Sequence, residues 1–198
     1  MRKTILFVLA VLSLSSCKAE SIELKEISTE IVKLSDLGDA WGAVQKMPDA
    51  KKDAIHLLKL NFSSKQDLLK LAQSKKAHLS FTANLCNADG KQTTRLFVLP
   101  SLRIGNLPIE EAMNRPLPDL EAQRNKEHEI VYNVLLPLAG DELTRIFGGV
   151  SIADHTPFFD IHSSNENVCL QLRAGVIWLG SVAKSNVIVF PRTQLNGS

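Results

Sequence analysis

Leu79, Phe81, Ala83 and Leu85 alternate with Ser80, Thr82, Asn84 and Cys86, the pattern of a strand with one apolar and one polar face. Asn87-Ala88-Asp89-Gly90 follows and supplies a turn in which Gly90 can take positive φ, so Thr93 to Leu99 is expected to return as the partner strand. A chain built on that hairpin has to bury one face of a sheet. Further β segments are expected at Ala54 to Phe62, with His56, Leu58, Leu60 and Phe62 on one parity, and at Ile130 to Leu138 and Asn167 to Ala174, read as a second pair. A last segment runs from Asn186 to Phe190 and is ended by Pro191. The clearest helix is short: Ser64 and Asp67 make a capping-box-like start before Leu68, Leu69, Leu71 and Ala72, and it ends by Lys75 or Lys76. Short strands, frequent turns and little helix predict a mainly β fold, an antiparallel β-sandwich with one short helix and long loops.

The flanks are less regular. Leu24, Ile27, Ile31 and Leu34 recur at helical spacing, yet Thr29 to Leu34 also reads as a β-branched strand, and Gly38 and Gly42 weaken any continuation. Met47 to Asp53 is polar and turn-like. Between Ser101 and Glu127 the alternation fails among Pro108, Pro116 and Pro118, leaving a long connection with one helical turn at Ile109 to Met113. Asp141 to His162 is a second irregular region.

The chain opens Met1-Arg2-Lys3-Thr4, continues with an apolar stretch from Ile5 to Leu12, and reaches Ser13-Leu14-Ser15-Ser16-Cys17. A basic start, a short apolar run and small residues before a cut are the parts of a secretion signal. Leu14-Ser15-Ser16-Cys17 resembles the bacterial lipobox. That resemblance implies cleavage before Cys17, diacylglycerol on its sulfur and an acyl chain on its amine. Each buried methylene contributes about 0.8 kcal/mol, so several chains hold stably where one holds marginally. Lys18 follows, whereas Asp there commonly retains such lipoproteins in the inner membrane, so the expected address is the periplasmic face of the outer membrane. Residues 1–16 are then leader, 17–53 a lipid-anchored tether with a first element, and 54–198 the sandwich. Of 23 Lys and Arg, Arg2 and Lys3 lie in the leader, which leaves 21 to meet 21 Asp and Glu. A neutral mature body gives no electrostatic case for nucleic acid.

With Cys17 given to the lipid, Cys86 and Cys169 remain in an oxidising compartment, where a disulfide is expected and two separate thiols are the alternative. Val168, Leu170 and Leu172 take the core side of their strand, so Cys169 shares the polar face with Gln171 and Arg173, as Cys86 does with Asn84. A bridge should therefore join neighbouring strands, or an edge and a loop, on the outside of one sheet.

Candidate chemistry is sparse. His155, Asp160 and His162 resemble a metal cluster, but two side chains on one strand face do not complete a four-ligand site. Ser181-Val182-Ala183-Lys184 has the Ser-x-x-Lys spacing of penicillin-interacting enzymes without the helix or the Lys-Thr-Gly that motif requires, and reads as a turn. Gly148-Gly149 lacks the context of a nucleotide loop. Trp178 reads as a packing residue, whereas Trp41, among glycines, is the better exposed anchor. The expectation is a non-enzymatic binding protein without cofactor or metal, contacting its partner through Trp41 and the long loops, with Arg115, Arg124, Phe158 and Phe159 the candidate contacts. In organisation the chain resembles small periplasmic lipoprotein immunity proteins that neutralise secreted antibacterial toxins. The likeness is architectural and assigns no residue roles. A lipid- or glycan-binding envelope lipoprotein and a weak metal-dependent hydrolase using Asp160 with His155 and His162 are the alternatives.

Overall fold

The computed structural model describes residues 20–37, 47–96, 102–114, 124–138, 160–161, 164–176 and 180–195. Among these, strands β1 (Glu20–Ile22), β4 (His78–Cys86), β5 (Gln92–Leu96), β9 (Asn167–Val176) and β10 (Gly180–Phe190) form a first sheet in the order β1-β10-β9-β4-β5. Strands β2 (Lys25–Lys33), β3 (His56–Ser64), β6 (Arg103–Ile104), β7 (Leu107–Pro108) and β8 (Ile130–Pro137) form a second, ordered β2-β3-β8-β6-β7. The sheets pack face to face as a β-sandwich. Phe62 of β3 meets Phe81 of β4 across the interface at 5.5 Å between ring centres and stacks beside its register partner Tyr132 at 5.9 Å. Around them lie the fully buried Leu58, Leu60, Leu170 and Leu172, the apolar rows that alternation places inward.

The hairpin forms as its sequence requires. Gly90 takes φ +74°, its N–H donates to the Asn87 carbonyl (3.0 Å), and Asn87 Oδ1 accepts from the Lys91 N–H (2.8 Å). Ile130–Pro137 and Asn167–Val176 are strands as expected, but they do not pair with each other. The first lies between β3 and β6, the second between β10 and β4.

The N-terminal segment resolves as strand. Helical spacing would put Leu24, Ile27, Ile31 and Leu34 on one buried face, yet Leu24 and Leu34 are buried while Ile27 and Ile31 are 43% and 37% exposed. The β-branched content of β2 fits a pleated edge instead. β1 lies parallel to β10 while the other pairings are antiparallel. The sandwich therefore takes in strands from the segment read as a tether. Asn186 fixes the crossing between sheets, its Nδ2 donating to the Leu24 carbonyl (2.9 Å) and its Oδ1 accepting from the Leu24 N–H (2.8 Å).

Short helices occur at α1 (Asp49–Asp53), α2 (Leu68–Lys75), α3 (Ile109–Asn114) and α4 (Arg192–Leu195). Of these, α1 replaces the expected turn, and α4 starts directly after Pro191, whose fixed φ suits a helix entry. The cap of α2 is Asp67, which accepts from the Lys70 N–H at 2.9 Å; Ser64 closes β3 and accepts from the Gln66 N–H (3.1 Å). The other end of α2 is capped by Lys76 in the left-handed region at φ 49°. Lys76→Gly is expected to raise the urea midpoint by the equivalent of about 1 kcal/mol, since a β-carbon is unfavourable there; an unchanged midpoint would contradict that. The Leu68 N–H donates to the buried Tyr132 Oη at 2.9 Å, so a β8 side chain satisfies an orphan donor of the helix. Burial pushes the Tyr132 phenol well above its usual range, and Asp67 adds to this. Tyr132→Phe is expected to cost about 1–3 kcal/mol in denaturant unfolding, because that N–H loses its acceptor.

β10 is longer than its apolar pattern suggests. Two bulges interrupt its register with β9, between Ser181 and Ala183 and between Lys184 and Val187, each setting an extra residue against its partner. The second is closed by Ser185, whose Oγ accepts from the Leu172 N–H (2.9 Å) and whose carbonyl accepts from Gln171 Nε2 (3.0 Å). Ser181, Lys184 and Val187, three residues apart, thereby all share the outer face with Gly175, Arg173 and Gln171.

Candidate functional site

Cys86 and Cys169 are bonded, with Cα atoms 5.9 Å apart. They join the neighbouring strands β4 and β9 on the face expected from parity, Cys169 opposite Asn84 and Cys86 opposite Asn167. The bridge is nonetheless not solvent-facing: the two residues are 0% and 1% exposed. Its row, Val189-Cys169-Asn84-Arg95, has half-buried Val189 and buried Asn84 on either side of Cys169.

Of the candidate partner residues, Arg124 is described. It bridges Ile130 and donates from Nη1 to the His128 carbonyl at 2.7 Å, at the base of a tight loop in which Asn125 Oδ1 accepts from the N–H groups of Glu127 (2.9 Å) and Glu129 (3.0 Å). Cys17, Trp41, Arg115, Phe158 and Phe159 lie outside the described residues, as do His155, His162, Trp178 and the Gly148-Gly149 pair. Asp160 is described, and no group of three metal-ligating side chains occurs among the described residues. The Ile161 N–H donates to the Leu138 carbonyl at 2.8 Å, so the connection after β8 departs from and returns to one place.

Ser181 and Lys184 belong to strand β10, not to a turn. The Ser181 hydroxyl donates to the Ala183 carbonyl (3.1 Å), and a strand cannot supply the helical placement that the Ser-x-x-Lys motif uses.

Sequence reasoning missed two features. The first is a buried carboxylate. Glu129, 1% exposed at its side chain, accepts from Ser63 Oγ at 2.6 Å and pairs with Lys25 Nζ at 2.8 Å, while Glu127 pairs with the same lysine at 3.0 Å. The hydrogen bond from Lys25, then that from Ser63, hold the Glu129 carboxyl below the usual carboxylate range, and the two glutamates push the Lys25 ammonium up. This knot ties β2, β3 and the entry to β8. The second is the outer face of the first sheet. Lys184 stands directly opposite Arg173, with Ser21 and Ser80 completing the row. Exposed Arg95 and His78 lie on the same face. Among the described residues Lys184, Arg173 and Arg95 take part in no ion pair. Like charges directly opposite each other destabilise a sheet, so packing does not explain this pair. One signal was available: β4, β5, β9 and β10 contain no Asp or Glu.

The chain matches no family model, no curated protein and no solved structure.

The Glu129 knot has both carboxylate oxygens engaged. An open groove of about 370 Å³ lies between β1 and α2, lined by Glu20, Gln66, Asp67, Lys70, Leu71 and Lys75 among others. Gln66 Nε2 donates to Glu20 Oε1 (3.3 Å) and to the Ser21 carbonyl (3.4 Å). The groove's mixed charge and openness suit a polar contact better than the enclosed apolar pocket of a small-molecule site.

Proposed function

We propose that the chain is a lipid-anchored periplasmic binding protein, held at Cys17 on the outer membrane, whose partner is another protein, in the manner of an immunity or inhibitor protein against a secreted antibacterial toxin. One observation carries the reading: the order of strands separates the two ends of the job. The N-terminal strand lies at one edge of the first sheet, and β5 lies at the other, roughly 19 Å away at the usual spacing between strands. The connection leaving β5 leads to β6 and β7, the far edge of the second sheet. An anchor before β1 thus leaves the β6–β7 edge of the second sheet distant from it, and loops on a rigid scaffold are where contacts are made. The Cys86–Cys169 bridge supports the oxidising compartment.

Labelling with a radioactive fatty acid tests the anchor: the parent chain should be marked and Cys17→Ser unmarked. For the partner, affinity capture of the native lipoprotein from the producing cells, followed by reconstitution from purified components, should give a stoichiometric complex in which a secreted toxin loses its activity. Capture of small molecules alone would sink the protein-partner reading.

A further inference from the structure

We propose that the outer face of the first sheet is seated on the membrane, with Lys184 and Arg173 on anionic phospholipid headgroups and Val187 entering among them. The inference rests on Cys17 being the lipid anchor. Three residue steps separate Cys17 from Glu20 and reach at most about 11 Å, so acyl chains at Cys17 would bring the bilayer to the start of β1. There Glu20 is in register with Ala183 and Ser21 with Lys184. The anchor and the basic row are therefore neighbours.

Sidedness selects this face. Paired residues share a side of the sheet, so Ser21, Lys184, Arg173 and Ser80 point outward together, and Glu20, the carboxylate among the described residues of these five strands, is in register with the inward Ala183. Val187, 39% exposed, occupies the next outward row beside Gln171. The bulge between Lys184 and Val187 is what puts both on one side, since an odd spacing in a regular strand would split them. Headgroup phosphates resolve the repulsion between Lys184 and Arg173 that folding alone leaves standing. Each basic residue near an anionic membrane favours association roughly fivefold, and a tether at the same edge supplies the high local concentration that makes so few contacts sufficient.

The test uses the full-length lipoprotein, purified and inserted by its own anchor into vesicles of phosphatidylethanolamine and phosphatidylglycerol, with a photo-reactive benzoylphenylalanine placed at Val187 or, as control, at Ile31 of the second sheet. Position 187 should give phospholipid adducts and position 31 none. Lys184→Gln with Arg173→Gln should reduce the yield about 25-fold, as should phosphatidylcholine vesicles. Lys184→Glu alone should also reduce it while raising the melting temperature, because it turns a like-charged cross-strand pair into an attractive one; unfolding cannot mimic that combination. Equal adducts at both positions, adducts indifferent to the charge substitutions, or capture at 187 of an acidic protein in whole cells would overturn the proposal. The mass of the N-terminal peptide is read in the same sample. A peptide without acyl chains fails the anchor and this inference with it, whereas an acylated peptide with no lipid adduct at 187 fails the seating alone.

Discussion

Replacing Cys86 and Cys169 together by alanine is expected to lower the free energy of unfolding by about 4 to 5 kcal/mol in the chain-entropy account of cross-linking. The bridge spans a sequence separation of 83 residues, and a loop of that length restricts the unfolded chain strongly. It connects two adjacent strands deep inside the order β1-β10-β9-β4-β5. Loss of that much from a domain of ordinary stability leaves a sizeable unfolded fraction. Urea unfolding of parent and double variant under identical conditions reads the effect directly, and a difference below about 1 kcal/mol, the size of an ordinary substitution, would refute it. Burial adds a kinetic expectation. With both residues 0–1% exposed, attack by an external thiolate needs access that the native state withholds. Dithiothreitol should therefore reduce the bond no faster than the protein opens.

Glu129→Gln is expected to be the next largest change. It keeps the side chain's shape but removes the charge that Lys25 and Ser63 address at 2.8 and 2.6 Å. Hydrogen bonds to charged groups contribute about 1.5–3 kcal/mol each, so a net loss of about 2–3 kcal/mol follows. The pH dependence has a definite sign. The Glu129 carboxyl is held below its ordinary value in the folded protein. Its contribution is complete above the unfolded glutamate value of about 4.3 and is lost as pH falls through the lowered folded value. The parent should therefore lose stability in that acid window more steeply than Glu129→Gln. Parallel stability curves for the two proteins would show that the knot does not act as described. The raised Lys25 works at the other end, its share being complete below the ordinary lysine value and lost only as pH rises through the folded one.

How far the sequence reveals this arrangement depends on how regular each strand is. The β4–β5 hairpin is readable because the period of two runs unbroken from Leu79 to Cys86 into a turn only Gly90 fits well. Parity also located the correct face for both cysteines. It failed in β10, where two bulges shift the phase and make Ser181 to Lys184 look like a turn. The second sheet hid itself differently. Leu57 and Leu135 are fully buried although they point away from the inward row of Leu58, Leu60 and Phe62. That outer side is covered too: buried Arg103, in register with Asn133, donates from Nη2 to the Leu37 carbonyl at 3.5 Å. Strand neighbours were out of reach for a separate reason, since β8 and β9 look alike in isolation and only the crossovers assign them to different sheets. Glu129 sits in the run Glu127-His128-Glu129, which reads as solvated until Ser63 and Lys25 arrive from other strands.

The parallel pairing of β1 with β10 has a consequence for the order in which this molecule can assemble. The first and last strands among the described residues are hydrogen-bonded neighbours, and Leu24 is clasped by a side chain 162 positions later. A chain emerging from its amino end must wait for nearly all of itself before that edge can zip. Such long-range closure slows folding, and a polypeptide of which only the first part has been made lacks the strand that its opening segment pairs with.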